Sequence, residues 1–325
     1  MIGLDIGTMN IVCSTKDPDS GQIKTTRIRD AFLDLPLSAK RMLKMGSGNY
    51  IQRDDALYIV GDEALEVANI FGREARRPLS DGLISNSESE SLDILAFIIQ
   101  SLIGKGNGEP CFYSIPARPV DNPSKDVIYH KRVFERIIAE CGYTPHASNE
   151  AMAIVFSEAA EDSFSAISFS FGSGMTNIAI SLNGIECVTF SVQVGGDWID
   201  KGAAEAVGST KARMCALKEK GVDLMNPRGR DQEAIAFYYR ELIEYALEQT
   251  YNELRSKAQK FNLSRSIPII VSGGTSTAIN FDLFFKMVFD RLSSKFPFEV
   301  SEIRKASDPF NSVSLGLLIQ SMQEE

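Results

Sequence analysis

The sequence predicts a duplicated α/β fold in which two similar halves flank a ligand-binding cleft. Two hairpin-like segments, residues 3–12 and 169–179, resemble each other: each has an apolar strand, a tight turn rich in Gly, Ser or Thr, and a second apolar strand. The predicted elements also repeat in order, because strands are followed by helices and the same strands then recur before further helices. Such repetition is typical of a duplicated α/β unit, which binds its ligand between the halves.

Composition and charge narrow the class of protein. The chain has 325 residues, of which 44% are hydrophobic and 24% charged, as in globular proteins with one large or two smaller domains. Its net charge of −9 argues against direct nucleic-acid binding, because neutralising many phosphates needs clustered Lys and Arg. The negative net charge remains compatible with the binding of a single nucleotide by backbone amides and a metal ion.

The start of the chain, its apolar runs and its cysteines favour a cytoplasmic protein. A predicted strand begins within two residues, which leaves no room for a signal peptide. No apolar run approaches the roughly 18 residues that span a membrane. The five cysteines are widely scattered, so they form neither a zinc-binding nor a redox motif, and most are expected to be buried thiols.

The first half is predicted to contain three initial strands, an inserted subdomain, two helices and a further strand. Apolar runs around a turn at 17–21 place the initial strands at 2–4, 11–14 and 22–29. A subdomain of about residues 30–72 follows, with a strand at 56–60 and a helix at 62–70. After it come a helix at 87–103 with Leu92 on its apolar face, a strand at 111–115 and a helix at 125–141.

The second half repeats the strands and adds more helices. Its hairpin is followed by a strand at 184–192, three helical stretches near 198–207, 209–220 and 231–260, a strand at 267–271, a helix at 281–292 and a closing helix at 313–320. The helix at 281–292 is very apolar and is expected in the core. The alternative is an exposed patch for a partner or a lipid.

The two hairpin turns have the composition of an anion-binding site. Turns of this kind bare consecutive backbone N–H groups, which can cradle a phosphate. Two such turns facing each other could hold a polyphosphate from both sides. An ordinary pair of turns is the alternative, although it does not explain the shared flanking pattern. The candidate contacts are Gly7, Thr8, Met9 and Asn10 in the first turn and Gly172, Ser173, Gly174, Met175 and Thr176 in the second.

Two carboxylates near the turns are candidates for metal and water chemistry. Asp5 ends a strand, where it could hold metal-bound water, since Mg²⁺ takes only one or two carboxylates; the alternative is an Asp that caps its own turn. Glu150 opens a predicted helix and could orient a water for attack on a terminal phosphate. Spacing alone favours a helix-start acid instead, with Ser148 or Asn149 as N-cap. At the position of Asp5, the second hairpin carries Ser170.

The sequence gives weaker indications of the residues that would contact the base and ribose of a nucleotide. Gly273 and Gly274 follow an apolar strand, and glycine lets the backbone lie flat against a base, although a generic strand-to-helix turn explains the pair equally well. Lys218 and Arg240 could reach the base or ribose, but a solvated helix face is the preferred interpretation for both. Trp198, the only tryptophan, is expected to pack rather than to bind a ligand.

Taken in order, these segments resemble the superfamily of actin, heat-shock chaperone and sugar-kinase ATPases, and bacterial actins most closely. Residues 5–10 are similar to the first phosphate loop of MreB, and residues 77–84 are similar to a segment of MreB and MamK. Residues 114–117 and 149–151 are similar to the first connecting region of the family, and residues 308–316 to its last connecting helix. In the second domain, Gly195, Gly196 and Asp197 are similar to the motif that opens the helices, and residues 272–275, which include Thr275, are similar to the adenosine loop.

The resemblance implies an actin-like ATPase fold of two ribonuclease-H-like domains. Domain I would comprise 1–147 and 308–325, with an insertion at about 30–72, and domain II 148–307, with a helical insertion at about 198–262. It implies ATP or ADP with Mg²⁺ as cofactors, Asp5 and Ser170 as metal-binding residues (Ser170 through water) and Glu150 as the residue that positions the hydrolytic water. The implied partners are further copies of the chain in a filament, and membrane-associated or cargo adaptor proteins.

Two departures from the family pattern leave alternatives open. The family usually has Asp where this chain has Ser170, so metal affinity or hydrolysis is expected to be reduced. No clear counterpart of the helix acid that approaches the ribose is found around 214–218. The leading hypothesis is a polymerising ATPase; the alternatives are a nucleotide-binding scaffold with little hydrolysis and a monomeric adaptor similar to FtsA or PilM.

Overall fold

The computed structural model of the chain describes residues 1–40, 50–53, 55–85, 87–257, 266–297 and 299–323. The elements of the first half, in chain order, are β1 (Ile2–Ile6), β2 (Asn10–Lys16), β3 (Ile23–Arg29), β4 (Phe32–Pro36), β5 (Tyr50–Arg53), β6 (Ala56–Val60), α1 (Asp62–Ile70), β7 (Leu79–Ser80), β8 (Leu83–Ile84), α2 (Ser91–Ile103), β9 (Pro110–Ile115), α3 (Ile128–Glu140) and β10 (Thr144–Asn149).

The second half continues directly from β10. Its elements are α4 (Glu150–Glu158), β11 (Ala166–Phe171), β12 (Thr176–Leu182), β13 (Ile185–Val192), α5 (Gly196–Val207), α6 (Lys211–Glu219), α7 (Gly229–Lys257), β14 (Ile267–Ser272), α8 (Phe281–Leu292), β15 (Val300–Lys305) and α9 (Ser312–Gln323). Short 3₁₀ turns lie at Leu37–Ala39, Gly274–Thr277 and Ser293–Lys295.

The two halves have the same sheet topology, which confirms the predicted duplication. Within the described residues, one five-stranded sheet has the order β3-β2-β1-β9-β10 and the other the order β13-β12-β11-β14-β15. In each sheet the first three strands are antiparallel and the last two run parallel to the central strand. Parallel strands are joined by crossover helices, so each half is an α/β unit with its strand ends facing the space between the halves.

Helices α4 and α9 cross between the halves and hold them together. Each follows the last strand of one sheet, yet α4 packs on β11 and β12 of the second half while α9 packs on β1 and β9 of the first. The crossing needs glycine, because a Cβ on Gly316 would clash with the carbonyl oxygen of Ala153, and one on Gly3 would clash with the backbone of Ser314 and Leu318. Because each of these two helices packs on the opposite half, together they hold both sheets against the same cleft.

Each half carries an insertion near the cleft. In the first, β4, β6 and β5 form a three-stranded antiparallel sheet that packs against α1. Part of this predicted subdomain, residues 41–49 and 54, lies outside the described residues. In the second, α5, α6 and α7 pack on one another. The predicted extension of the last of these helices over 258–260 also lies outside the described residues.

The core of the second half includes α8, as expected. Phe281, Phe285 and Val288 are buried, and the two phenylalanines pack edge-on against Phe171 of β11. The alternative of an exposed apolar patch on this helix is therefore wrong. Trp198 packs edge-on against Tyr238 in the same core, which confirms its structural role.

Several predicted boundaries were wrong, for identifiable reasons. Helix α2 begins at Ser91 rather than 87 and turns Leu92, which is 40% exposed, away from the core. Helix α3 begins at Ile128 rather than 125, because the Lys125 N–H closes a turn onto the Asn122 carbonyl and the Asp126 side chain accepts the Ile128 N–H. Strand β10 was not predicted because its sequence has no apolar alternation and it is held by parallel pairing with β9.

No described helix is both long enough and apolar enough to cross a membrane.

Candidate functional site

The cleft between the halves is a cavity of about 560 Å³. Both hairpins line it, together with strand β3, the N-terminus of α4, the end of α6, and the turn after β14. The predicted residues that line the cavity are Asp5, Gly7, Thr8, Met9, Asn10, Glu150, Ser170, Gly172, Ser173, Gly174, Met175, Gly196, Lys218, Gly273, Gly274 and Thr275. The sequence therefore named residues that the fold brings together from both halves.

The two hairpin turns have the same geometry. The Gly7 N–H donates to the carbonyl of Asn10 at 3.1 Å, and the Gly172 N–H donates to that of Met175 at 3.0 Å. A Cβ added at either glycine would lie 2.9 Å from the same carbonyl oxygen, so both turns exclude a side chain there. Two equivalent turns thus face one cavity, each from the end of a central hairpin.

The second turn contains a polar group suited to a ligand. The hydroxyl oxygen of Ser173 is buried and has no hydrogen-bond partner within the described part of the chain. A buried polar atom without a partner is costly unless something else satisfies it. Thr176 differs, because its hydroxyl donates to the Val194 carbonyl at 2.8 Å and the residue does not line the cavity.

The residues at the start of α5 hold the second turn in place. The N–H groups of Gly196 and Asp197 donate to the carbonyls of Gly172 and Ser173 at 2.9 and 2.8 Å. Thr275 donates its hydroxyl to the Gly172 carbonyl at 2.9 Å. Gly195 stays outside the cavity lining, and a Cβ there would meet both turn carbonyls. These four residues therefore fix the position of the second turn.

Asp5 is fixed by a serine that sequence reasoning did not single out. The Ser114 hydroxyl donates to Asp5 Oδ1 at 2.9 Å and accepts the Ile6 N–H at 2.7 Å. Burial raises the pKa of Asp5 to about 6, and the Ser114 hydrogen bond opposes this rise. The carboxylate therefore has a defined orientation at the edge of the cleft.

Glu150 opens α4, with Asn149 as the N-cap. Asn149 Oδ1 accepts the N–H groups of Ala151 and Met152 at 2.9 and 3.2 Å, which confirms one of the predicted capping residues. Burial, together with the charge of Asp5, raises the pKa of Glu150 to about 8. The two acids therefore oppose each other's ionisation, and at neutral pH the pair shares about one proton.

Asn177 contacts Glu150 and was not predicted as a site residue. Its Nδ2 donates to Glu150 Oε2 at 2.8 Å, while its Oδ1 accepts the Ala117 N–H at 2.9 Å. The second bond fixes the amide orientation, so Nδ2 must face the carboxylate. Asn177 pairs directly with Ser170, the serine that stands where the first hairpin has Asp5. This pairing of β11 with β12 is the feature from which the sequence could have indicated Asn177 as a site residue.

Lys218 lies in the cleft rather than on a solvated face, so that expectation was wrong. Its side chain is only 11% exposed, with Nζ 3.0 Å from Asp200 Oδ1 and donating to the Gly196 carbonyl at 2.7 Å. Asp200 is fully buried; burial raises its pKa and Lys218 opposes the rise. Arg240, the other candidate, does not line the cavity.

An acid one residue beyond the segment searched, 214–218, lines the cavity. Glu219, the last residue of α6, lines the cavity and accepts a hydrogen bond from Arg29 Nη2 at 2.8 Å. Arg29 comes from β3 of the other half and also lies 3.7 Å from Asp62. This ion pair crosses the cleft, so a nucleotide placed there would contact a bridge between the halves.

A second bridge crosses the cleft beside the second hairpin. Arg77 makes a bidentate ion pair with Asp197, at 2.8 and 3.1 Å, and Asp197 also pairs with Lys211 at 3.3 Å. The turn between β7 and β8 reaches across as well, because Gly82 touches Gly174 of the hairpin. The segment 77–84, singled out from the sequence for its resemblance, is thus one of the parts of the first half that contact the second hairpin.

The sequence model of the Volactin family matches residues 1–321. The chain belongs to the Volactin family. No curated protein is similar enough to this Volactin-family chain to count as a match.

Solved structures similar to this Volactin-family protein establish the fold as that of actin-like ATPases. They include the MamK double helical filament (18% identity, TM-score 0.73, 100% of this chain and 98% of that one) and MreB5 of Spiroplasma citri bound to AMPPNP (16%, 0.69, 99% and 96%). A third is the ethanolamine utilization protein EutJ from Carboxydothermus hydrogenoformans (15%, 0.56, 98% and 88%).

The Arg77–Asp197 bridge is expected to stabilise the closed cleft. In a double-mutant cycle of Arg77→Gln and Asp197→Asn, we expect a coupling free energy of unfolding of about 1–2 kcal/mol, because both side chains are mostly buried and the pair is bidentate. Urea denaturation of the parent, single and double variants measures it. The control is the exposed pair Arg136 and Glu140 on α3, for which we expect less than about 0.5 kcal/mol. Equal coupling in the two cycles would contradict the assignment.

The buried acid pair predicts a pH dependence of stability. Glu150 ionises near its ordinary 4.5 when unfolded but near 8 when folded, so the unfolded chain loses its proton first and the free energy of unfolding falls as the pH rises between these values. Glu150→Gln cannot ionise and keeps an oxygen for Asn177. We expect this variant to exceed the parent in stability by at least about 1 kcal/mol at pH 8 and to approach it at pH 4.

Urea denaturation between pH 4 and pH 8 measures this difference. Glu66→Gln, at an exposed position of α1, is the matched control and should show a flat difference. A flat difference for Glu150→Gln as well would show that Glu150 ionises freely in the folded protein.

Proposed function

We propose that this protein is an ATP-binding, actin-like cytoskeletal protein that polymerises in a nucleotide-dependent way, with ATP hydrolysis driving filament turnover. The observation that carries this proposal is the pair of equivalent hairpin turns facing one cleft, with Asp5 and Glu150 between them. Backbone amides on both sides of a cavity suit a polyphosphate, since an anion binds where N–H groups converge.

Each turn and each acid has a role in this proposal. The amides of Gly7–Asn10 and Gly172–Met175 bind the phosphates, and the unpartnered Ser173 hydroxyl donates to one of their oxygens. Gly273, Gly274 and Lys218 lie on the nucleoside side of the cavity. Glu150 orients the attacking water, and the amide of Asn177 favours the ionised form of its carboxylate.

The donors around Asp5 fit Mg²⁺. The Asp5 carboxylate is oriented by the Ser114 hydroxyl, and the described residues contain no group of three or more Asp, Glu, His or Cys that would form a closed metal site. Mg²⁺ keeps several waters and takes its remaining ligands from phosphates, so Asp5 and Ser170, through water, suffice to hold it. When bound, it supplies neutralisation of phosphate charge.

Similarity supports self-association as the first partner interaction. One similar structure is a MamK double helical filament, and another is an MreB5 bound to AMPPNP. In this proposal, nucleotide binding closes the cleft and favours assembly, and hydrolysis weakens subunit contacts. The proposal places the filament in the cytoplasm, where membrane-associated or cargo adaptor proteins are its other partners.

Ser170 favours a second candidate, a nucleotide-binding filament or scaffold that hydrolyses slowly or not at all. Ser170 is 3% exposed at the end of β11, where it offers a hydroxyl in place of a carboxylate. A monomeric adaptor is less favoured, because α8, the one apolar helix considered for an exposed partner surface, is buried.

Sedimentation tests the polymer. Purified protein with ATP and Mg²⁺ should give a pellet, and filaments should be visible by electron microscopy. Protein with ADP, or with ATP and EDTA, should remain largely in the supernatant, because closure needs the terminal phosphate and the ion. Absence of any polymer across a range of salt and pH would reject the filament and leave a monomeric nucleotide-binding protein.

Ser170→Asp tests which candidate holds. If the missing acid limits turnover, phosphate release by Ser170→Asp should rise at least about 10-fold, since a well-held metal ion stabilises the transition state by several kcal/mol and about 1.4 kcal/mol already gives a tenfold change in rate. Ser170→Ala is the matched control and should show no rise. The gain should disappear in Ser170→Asp combined with Glu150→Gln. An unchanged rate in Ser170→Asp would show that the absence of a carboxylate at this position does not limit hydrolysis.

A further inference from the structure

The β13 edge of the second sheet is covered by an extended segment of the other half. Residues 118–120, which follow β9, run parallel to β13 at this point. The Val120 N–H donates to the Ser191 carbonyl at 2.9 Å, and the Ser191 N–H donates to the Arg118 carbonyl at 3.2 Å. A short extended segment thus satisfies the backbone groups of Ser191 that face away from the sheet.

The equivalent edge of the first sheet is β3, where Arg27 holds the position that Ser191 holds in β13. The strand registers establish this equivalence. Asp5 pairs with Val12, and Val12 pairs with Arg27. In the second half, Ser170 leads through its own partner on β12 to Ser191. The duplication therefore gives the protein two corresponding sheet edges, one of which already carries an added segment.

The backbone of β3 directs polar groups away from β2. The Asp30 N–H donates to the Met9 carbonyl at 3.0 Å, which marks Arg29 and its register partner as a non-hydrogen-bonded pair of the antiparallel ladder. Such pairs alternate along a ladder, so the N–H and C=O groups of Arg27 and Thr25 also face outward. Among the described residues, these four groups have no hydrogen-bond partner. The edge of β3 is thus open at the position where the edge of β13 is covered.

A cavity of about 280 Å³ lies beside this open edge. Residues 25–27 form one wall, and the loop before α9 forms the other. The acid of that loop, Asp308, is engaged locally, because its carboxylate accepts the Phe310 N–H at 3.2 Å and the Asn311 Nδ2 at 2.7 Å. Sites for drug-sized ligands have volumes of about 300–1,000 Å³, so this cavity better suits one side chain of a bound polypeptide.

The exposed charges on β2 and β3 are basic, although the chain has a net charge of −9. Lys16, Lys24 and Arg27 are exposed, and within the described part of the chain none has a carboxylate at ion-pair distance. The acids of this hairpin, Asp17 and Asp19, lie in its turn. Like charges on adjacent strands repel each other, so a second copy of β3 is disfavoured as the pairing strand and an acidic segment is favoured.

We propose that β3 is a docking edge for an extended, acidic segment of a partner protein, which adds to the first sheet as residues 118–120 add to the second. Its backbone pairs with Thr25 and Arg27, one of its side chains enters the cavity, and its carboxylates lie beside Lys24 and Arg27. A nucleic acid or a lipid headgroup fits less well, because only a polypeptide backbone supplies N–H and C=O groups in alternation. The inference goes beyond the proposed function and does not depend on nucleotide binding.

Fluorescence anisotropy of a labelled peptide bound to the full-length chain tests this docking edge. The probe is a capped peptide of about seven residues, an ordinary strand length, in which Val and Glu alternate. One competitor carries Lys in place of each Glu. The other carries Pro in place of each Val, which keeps the charge but prevents strand pairing. We expect each competitor to be at least about 10-fold weaker than the unlabelled probe.

Substitutions on β3 locate the binding. Thr25→Pro removes an outward N–H and leaves the hydrogen bonds to β2 in place, so it should weaken probe binding at least about 10-fold. Thr25→Val loses the same hydroxyl but keeps the N–H, and it should bind within about 3-fold of the parent. Lys24→Glu leaves the backbone unchanged and should weaken binding at least about 5-fold through repulsion. Lys201→Glu, at an exposed position of α5, is the matched charge control and should change nothing.

The outcomes separate strand addition from attraction by charge alone. Equal competition by the proline-containing peptide, probe binding that Thr25→Pro and Lys24→Glu leave unchanged, or no saturable binding up to about 1 mM would overturn the proposal. Tighter binding of a DNA duplex or of phosphatidylglycerol vesicles that Lys24→Glu abolishes would also overturn it, in favour of a polyanion site. A parent chain that binds the probe but forms no polymer would reject the proposed function and leave this inference standing.

Discussion

The close crossing of α4 and α9 is the contact on which the rest of the structure depends. Gly316 lets the backbone of α9 touch the Ala153 carbonyl, and a side chain there would push the helices apart. Because each helix continues from one half and packs on the other, the crossing fixes how the two sheets face each other. Glu150 begins α4 and Phe310 precedes α9, so the same contact sets two walls of the cleft.

The duplicated hairpins share a backbone but differ in their side chains. The first has the oriented acid, Asp5, and the second has Ser170 paired in register with Asn177. A repeated fold supplies two equivalent amide cradles, because backbone geometry follows from the glycines and the strand register. The placement of charge is a separate property, and here Asp5 and Glu150 hold it on one side. This asymmetry is why the hydrolysis rate is the central question about the proposed function.

Closure of the cleft involves ion pairs as well as helix packing. Arg29 with Glu219 and Arg77 with Asp197 each join one half to the other, on either side of the proposed nucleotide position. Both pairs lie next to residues of the cavity, so ligand binding and domain closure share contacts. Such sharing is the physical basis on which a nucleotide shifts a conformational equilibrium, since a ligand acts only through contacts that differ between states.

The sequence by itself determined the duplicated hairpins, the order of the elements, the apolar core helix and about half of the residues that line the cleft. These features follow from local rules: glycine for the turns, alternation for strands, 3.6-residue periodicity for helices and Asn149 as a cap. Only the tertiary structure decided that Asn177 contacts Glu150, that Lys218 is buried against Asp200, and that Phe310 faces the cavity. The partners in these contacts come from different elements: Asn177 is on β12 and Glu150 on α4, while Lys218 is on α6 and Asp200 on α5. Burial and orientation, which set the strength of a polar contact, exist only after the halves have packed.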